Sequence, residues 1–135
     1  MINRFFKKKV SNFINFSEDY IEYLYHILKN LNKKNIKEFE NLLEVARKKK
    51  QTIFIAGNGG AAATSITMAN DLGFDILKKT KVKKTFRVQS LNDNPSVITA
   101  IANDTGYENI FLNQLKIHYK SGDLLILLSA SGNSL

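Results

Sequence analysis

Thr52-Ile-Phe-Ile-Ala-Gly-Asn-Gly-Gly60 joins two kinds of chain in nine residues. Thr52 to Ala56 is apolar and mostly β-branched or aromatic, which predicts a short buried strand. Gly57-Asn58-Gly59-Gly60 breaks it, and Ala61-Ala62-Ala63 opens a strong helix former. A strand, a glycine turn and a helix aim several backbone N–H groups at one spot. The helix N-terminus adds about half a positive charge there. An anion suits such a place, and phosphate is the commonest.

The design recurs at Asp123-Leu-Leu-Ile-Leu-Leu128, followed by Ser129-Ala-Ser-Gly-Asn-Ser134. Here glycine supplies the turn and three hydroxyls can donate to oxygen. One glycine turn after a strand is usually a plain connection. Two of matching layout, the second rich in serine, point to a phosphorylated ligand.

Between and around these stretches the pattern is helical. After basic and aromatic residues 1–17, Ser17-Glu18-Asp19 reads as a helix start. Tyr20, Ile21, Leu24, Ile27, Leu28 and Leu31 follow at helical spacing. Asn32-Lys-Lys-Asn35 interrupts, and Ile36, Phe39, Leu42, Leu43 and Ala46 mark a second amphipathic helix ending in Arg47-Lys-Lys-Lys50. Neither helix has a sheet of its own to cover, so the hairpin packs on the following unit or on a second subunit. The many large apolar residues favour the second subunit. A helix from Gly60 to Leu72 is expected to stop at Gly73, with Ala62, Ile66, Ala69 and Leu72 on one face. Asp75 to Lys84 reads as an exposed connection and Thr85–Ser90 as a second strand. Asn92-Asp-Asn-Pro95 caps a third helix that Asn103-Asp104-Thr105-Gly106 ends. Tyr107–Tyr119 is a fourth.

The order β-α-β-α-α-β with parallel crossovers means an α/β fold, a doubly wound parallel sheet behind an N-terminal helical hairpin. With strand order 2-1-3, the loops after strands one and three flank the crevice where such sheets bind ligands. The expected division is 1–50 as an oligomerising helical extension and 51–135 as the sheet domain. Leu135 falls where a helix should begin, so a C-terminal part missing from this chain, or an edge supplied by a partner, is expected.

The chain has 135 residues, no cysteine and a net charge of +8. Thiol chemistry is excluded, and a cytoplasmic location is the expectation. No signal peptide or membrane span is visible. The lysines are spread along the chain at element ends and are not interleaved with aromatics, which argues against nucleic acid as a partner.

These residues together resemble the sugar isomerase (SIS) domain family, and within it the phosphoheptose isomerase group. Residues 55–62, Ile-Ala-Gly-Asn-Gly-Gly-Ala-Ala, are similar to that family's first loop, usually Gly-Asn-Gly-Gly-Ser. Residues 99–111, from Thr99 through Asn103-Asp104-Thr-Gly-Tyr-Glu108 to Phe111, are similar to its "TAIANDYGYE-F" segment. Residues 122–134 are similar to its glycine-aspartate strand and serine loop. The close resemblance spans roughly residues 50–135.

The resemblance implies a flavodoxin-like αβα sandwich and an aldose–ketose shift on sedoheptulose 7-phosphate or a related sugar phosphate. Such chemistry needs a base beside a carbonyl, an acid for the oxygens and phosphate anchors. It implies that Ser129, Ser131 and Ser134 hold phosphate with the Ala130 backbone. Asn58, Gly59 and Gly60 would line the sugar, and Asn103 and Asp104 would reach its hydroxyls or reacting end. Asp71 stands where the family carries an acidic catalytic or metal residue, usually Glu. It is one methylene shorter, and a ~1 Å retreat costs on the order of 100-fold in rate. The family's serine is Ala61 here, and a histidine that helps bind zinc is Thr67. The acid/base histidine falls beyond Leu135; His26 and His118 sit on helices in surface or core roles. The family's usual assembly is a homo-oligomer, commonly a tetramer. Alternatives to an isomerase are an SIS module that binds sugar phosphate without catalysis, and a nucleic-acid regulator, for which residues 1–50 lack an evident recognition turn.

Overall fold

The computed structural model describes residues 12–132. The chain divides into two compact units, Met1–Phe39 and Glu40–Leu135. In the first unit, helix α1 (Phe13–Lys29) starts earlier than the Ser17 expectation. The Asn12 side chain caps it by accepting from Asn15 N at 2.9 Å. Ser17 lies inside the helix, where its hydroxyl donates back to the Phe13 carbonyl at 2.9 Å. Asn30 ends α1, and helix α2 (Lys33–Lys49) begins almost at once. The Asn32 side chain accepts from Lys34 N and Asn35 N, so the expected four-residue interruption shrinks to a cap. The unit boundary falls inside α2.

The second unit is built on strand β1 (Thr52–Gly57), whose Ile53, Phe54, Ile55 and Ala56 are all buried. A β-branched and aromatic run of this kind suits the middle of a sheet covered on both sides. β1 pairs in parallel with β2 (Arg87–Ser90) on one side and β3 (Leu124–Leu128) on the other. The order is β2-β1-β3, as expected. Ile53 and Ile55 point to one face, with Ala46 and Leu43 of α2 and with Met68, Ala69 and Leu72 against them. The C-terminal half of α2 therefore covers the sheet, the less favoured of the two packings expected of the hairpin, and Ala46 is small enough to let the helix approach. Phe54 and Ala56 point to the other face, with Leu91, Phe111 and Leu115.

Helix α3 (Gly60–Asn70) follows β1, but Gly73 does not end it. The backbone widens into a π-helical turn, Asp71–Asp75, and continues as α4 (Ile76–Thr80) before Lys81 stops it with a left-handed φ of 52°. The carboxylate of Asp75 accepts from Lys79 Nζ at 3.0 Å one turn on, which supports the continuation that a lone glycine does not prevent. Ile66 is 43% exposed, and Ser65 takes the buried position expected of an apolar residue.

Helix α5 (Pro95–Thr105) is capped by Asn94, which accepts from Val97 N, with Pro95 in its first turn. It runs three residues past Ala102, so Asn103 and Asp104 are helical, and Gly106 at φ 100° makes the break. A short 3₁₀ turn (Tyr107–Asn109) leads into α6 (Ile110–His118). Gln114 of α6 is buried and donates to the carbonyls of Leu91 and Ile110. Gly122-Asp123 then turns into β3, where Asp123 accepts from Thr52 N at 2.7 Å and Lys120 N at 2.9 Å. That carboxylate ties the start of β3 to the start of β1.

Candidate functional site

Gly57, the last residue of β1, sits opposite Leu128, the last residue of β3. The glycine turn and the serine loop therefore leave the sheet side by side at the same edge. They face each other across an open crevice of about 930 Å³. Asn58, Gly60, Ala61 and Thr64 line one wall, and Leu128, Ser129, Ala130 and Ser131 the other. Ala56, Phe111 and Leu127 give it an apolar floor. This is the position in a parallel sheet where ligands bind.

The geometry of the first wall follows from two glycines. A Cβ on Gly57 would lie 2.7 Å from Ala61 Cβ and 2.9 Å from the Ala61 carbonyl, so only glycine lets α3 start this close to β1. Gly59 has φ 58° and ψ −126°, a region open in practice to glycine alone. Ala61 N and Ala62 N donate to the carbonyls of Asn58 and Gly59, which begins α3. The N–H groups of the turn stand ahead of those first helical bonds, where the helix dipole is positive. On the second wall, the Ser129 hydroxyl accepts from Gly132 N at 3.0 Å and folds the loop back on itself. Ser134 lies outside the described residues.

The acidic candidates lie elsewhere on the same unit. Asp71 opens the π-helical turn and accepts from Asn70 Nδ2 at 3.2 Å; Asp104 accepts from Asn103 Nδ2 at 2.8 Å in the last turn of α5. None of Asp71, Asn103 and Asp104 is part of the crevice lining. The segment holding Asn103 and Asp104 is nevertheless joined to the site three residues later. The hydroxyl of Tyr107 donates to Asn58 Oδ1 at 3.1 Å.

Sequence reasoning passed over Tyr107 and a buried polar cluster behind the turn. Gly57 N donates to Asn92 Oδ1 at 3.1 Å, and Asn92 Nδ2 donates to the Gly57 carbonyl at 2.9 Å. Ser65 Oγ is 2.8 Å from Asn92 Oδ1 and 2.8 Å from Ser90 Oγ. Asn92 stood in the sequence as part of a helix cap, and the two serines had no periodic signal.

The resemblance implies zinc, and the residues present do not fit it. Thr67 spends its hydroxyl on the Ala63 carbonyl, and Asp71 one turn on is a single carboxylate. Zinc takes three or four N, O or S ligands from protein. Among the described residues, no group of three or more His, Cys, Asp or Glu comes together to hold a metal ion. Among the described residues, no helix is long and apolar enough to cross a membrane.

Comparison with known proteins agrees with the fold. A phosphoheptose isomerase from Sulfurimonas denitrificans is 38% identical over 117 residues, covering 76% of this chain and 56% of the relative. One from Clostridium acetobutylicum is 36% identical over 102 residues, covering 73% of this chain and 50% of the relative. The chain thus spans about half the length of the curated relatives it matches. The solved phosphoheptose isomerase of Neisseria gonorrhoeae superposes with a TM-score of 0.72 at 27% identity, over 90% of this chain and 60% of that one. That of Francisella tularensis, at 18% identity, shares the fold with a TM-score of 0.73 over 89% of this chain and 59% of that one. The SIS-domain family profile matches residues 16–135, a span that takes in β1, β3 and both loops of the crevice, and the chain belongs to that family.

Proposed function

We propose that this chain forms the phosphate-binding part of an aldose–ketose isomerase of the phosphoheptose isomerase type, acting on sedoheptulose 7-phosphate or a related sugar phosphate. The observation that carries the reading is the register of Gly57 with Leu128, which sets two loops rich in N–H and O–H donors against one crevice. A phosphate monoester is a dianion with several acceptor oxygens, and such donors bind it in any order of approach. In this reading Ser129, Ser131 and Ser134 hold the phosphate with the Ala130 backbone, and Asn58, Gly59 and Gly60 line the sugar.

Isomerisation moves a proton between neighbouring carbons while the carbonyl and hydroxyl oxygens exchange roles. Asp71 and Asp104 are the carboxylates assigned to that transfer, with Asn103 beside Asp104. A second reading, a module that binds sugar phosphate without turnover, is favoured by the place of Asp71 and Asp104 outside the crevice lining.

We also assign residues 1–50 to oligomerisation between copies of this chain. α1 leaves Phe13 79%, Ile14 69% and Ile21 67% exposed and buries no residue. A helix with so much apolar surface in water gains by covering it, at about 25 cal/mol per Å². The cytoplasm, where phosphorylated sugars are made, is the compartment that suits this reading.

The test is to titrate the chain with sedoheptulose 7-phosphate by calorimetry and to follow the sugar by NMR. Binding with appearance of the aldose supports the isomerase. Binding without turnover supports the module. No binding at millimolar sugar removes both.

A further inference from the structure

The three strands point to one end of the sheet, but β2 stops two residues short of β1, whose Ala56 and Gly57 pair with β3 alone. The ladder between them closes with Ile55 opposite Ser90, and Leu91 N donates to the Ile55 carbonyl at 2.8 Å. Gly57 would face the next rung, where no strand residue stands. The Asn92 side chain fills that place. Its carboxamide accepts from Gly57 N and donates to the Gly57 carbonyl, the two bonds that two successive peptide groups of a neighbouring parallel strand would make.

The same carboxamide is held from behind. Ser65 has one hydroxyl proton and two neighbours that only accept, Asn92 Oδ1 and the Ala62 carbonyl, each at 2.8 Å. That one proton is shared between these two acceptors, which leaves the Ser65 oxygen to accept from Ser90 across their 2.8 Å bond. Asn92 N in turn donates to Ser90 Oγ at 3.1 Å. The result is a closed cycle, Ser90 to Ser65 to Asn92 to Ser90. Ser65 and Ser90 are 0% and 1% exposed, so the bond between them is sheltered from water. The residues between the two anchors, Gly57 and Ser65, are the glycine turn and the first turn of α3.

We propose that Asn92 is a positioning residue: by standing in for a missing strand rung, it fixes the height of Asn58–Gly60 against the serine loop. This rests on the sugar-phosphate reading of the crevice for its functional consequence, but not for its structural one. Asn92 itself is absent from the crevice lining, so it acts through Gly57 and Ser65.

The test uses Asn92→Asp, which keeps the shape and Oδ1 but sets a carboxylate oxygen against the Gly57 carbonyl. Ser65→Ala, which frees α3 from the cycle, serves as a second variant if the first fails to fold. The first readout needs no ligand: amide hydrogen exchange of Gly57, Ala61 and Ala62, compared with Phe54 and Ile55 in the sheet core. At least a tenfold acceleration confined to the turn is expected. Acceleration shared equally by the core would mean loss of stability alone and would overturn the proposal, as would no change. The second readout is calorimetry with sedoheptulose 7-phosphate, where about a tenfold rise in Kd is expected. An unchanged Kd beside a loosened turn would also overturn it. If the wild-type chain binds no sugar phosphate, the functional reading fails, and the exchange experiment still decides whether Asn92 holds the turn.

Discussion

Tyr107 Oη donates a hydrogen bond to Asn58 Oδ1 across 3.1 Å and forty-nine residues of sequence. Asn58 lines the crevice, and the bond engages its carbonyl end; in the proposed reading the NH₂ end then donates to a sugar hydroxyl. Tyr107 itself follows Gly106, whose φ of 100° turns the chain out of α5 and toward the glycine turn. Two motifs that stand apart in the sequence thus meet through one hydroxyl.

Replacing that hydroxyl, Tyr107→Phe, should weaken sugar-phosphate binding by about fivefold, the effect of losing one hydrogen bond worth roughly 1 kcal/mol. Tyr107 is 62% exposed, so the unfolding midpoint in urea should stay put. Calorimetry alongside urea unfolding checks both. Equal affinity in the two proteins would show that Asn58 needs no orienting partner.

Gly57→Ala tests the close approach of α3 to β1. The new methyl meets the Ala61 side chain and backbone, and backbone does not yield as a flexible side chain does. Overpacking of this kind costs roughly 1–3 kcal/mol, and here the strain falls on the binding turn. Both stability and sugar-phosphate affinity should drop. A variant that keeps its urea midpoint would mean that α3 can shift outward without loss.

The sheet was legible because β1 advertises itself. Thr52 to Ala56 is uniformly apolar and then stops at glycine, and the serine loop follows an equally apolar run. Parallel connection follows from those elements, whereas the 2-1-3 order is assumed as the arrangement that brings the two loops together, and the sheet has it. The helix ends were less legible, since local signals competed with packing. Gly73 looked like a stop, yet the chain continues through a π-helical turn to Thr80. Ser17 looked like a cap, yet Asn12 does that work five residues earlier. The Asn92, Ser65 and Ser90 cluster could not be read at all. Each residue alone looks like surface, and only the meeting of β2, α3 and the end of β1 buries them. The crevice walls were expected from Asn58, Gly60 and Ser129–Ser131. The distance of Asp71 and Asp104 from that lining was not, because helix length and register decide it.

Ser131→Ala tests the second wall. Ser131 lines the crevice beside Ala130, and a hydroxyl bonded to a phosphate dianion contributes about 1–2 kcal/mol. Kd for a sugar phosphate should rise by roughly five- to thirtyfold. The parent sugar without phosphate should bind equally poorly to both proteins. If calorimetry gives the same Kd for the phosphorylated sugar, Ser131 is no part of the site.

A final prediction concerns pH and lies away from the crevice. Arg47 grips Glu44 with two bonds of 2.7 and 2.8 Å, donates to the Lys84 carbonyl at 3.0 Å and lies over the Phe86 ring. It thereby fastens the end of α2 to the segment entering β2. The hydrogen bonds from Arg47 are the main cause that holds the Glu44 carboxyl below its ordinary value of 4.5; its charge and that of Lys48 add to this, and partial desolvation opposes it. A carboxyl depressed in the folded state binds its proton more readily when unfolded. Its stabilising share is therefore complete above about pH 4.5 and is lost as pH falls through the folded-state value. The Glu44 side chain is 36% exposed, so solvent keeps the effect small. Urea unfolding of the wild type and Glu44→Gln between pH 7 and 3 reads it out. The wild type should be the more stable near neutrality, and the gap should close on acidification. A gap that stays constant across the range would mean that Glu44 and Arg47 contribute packing and no ionic stabilisation.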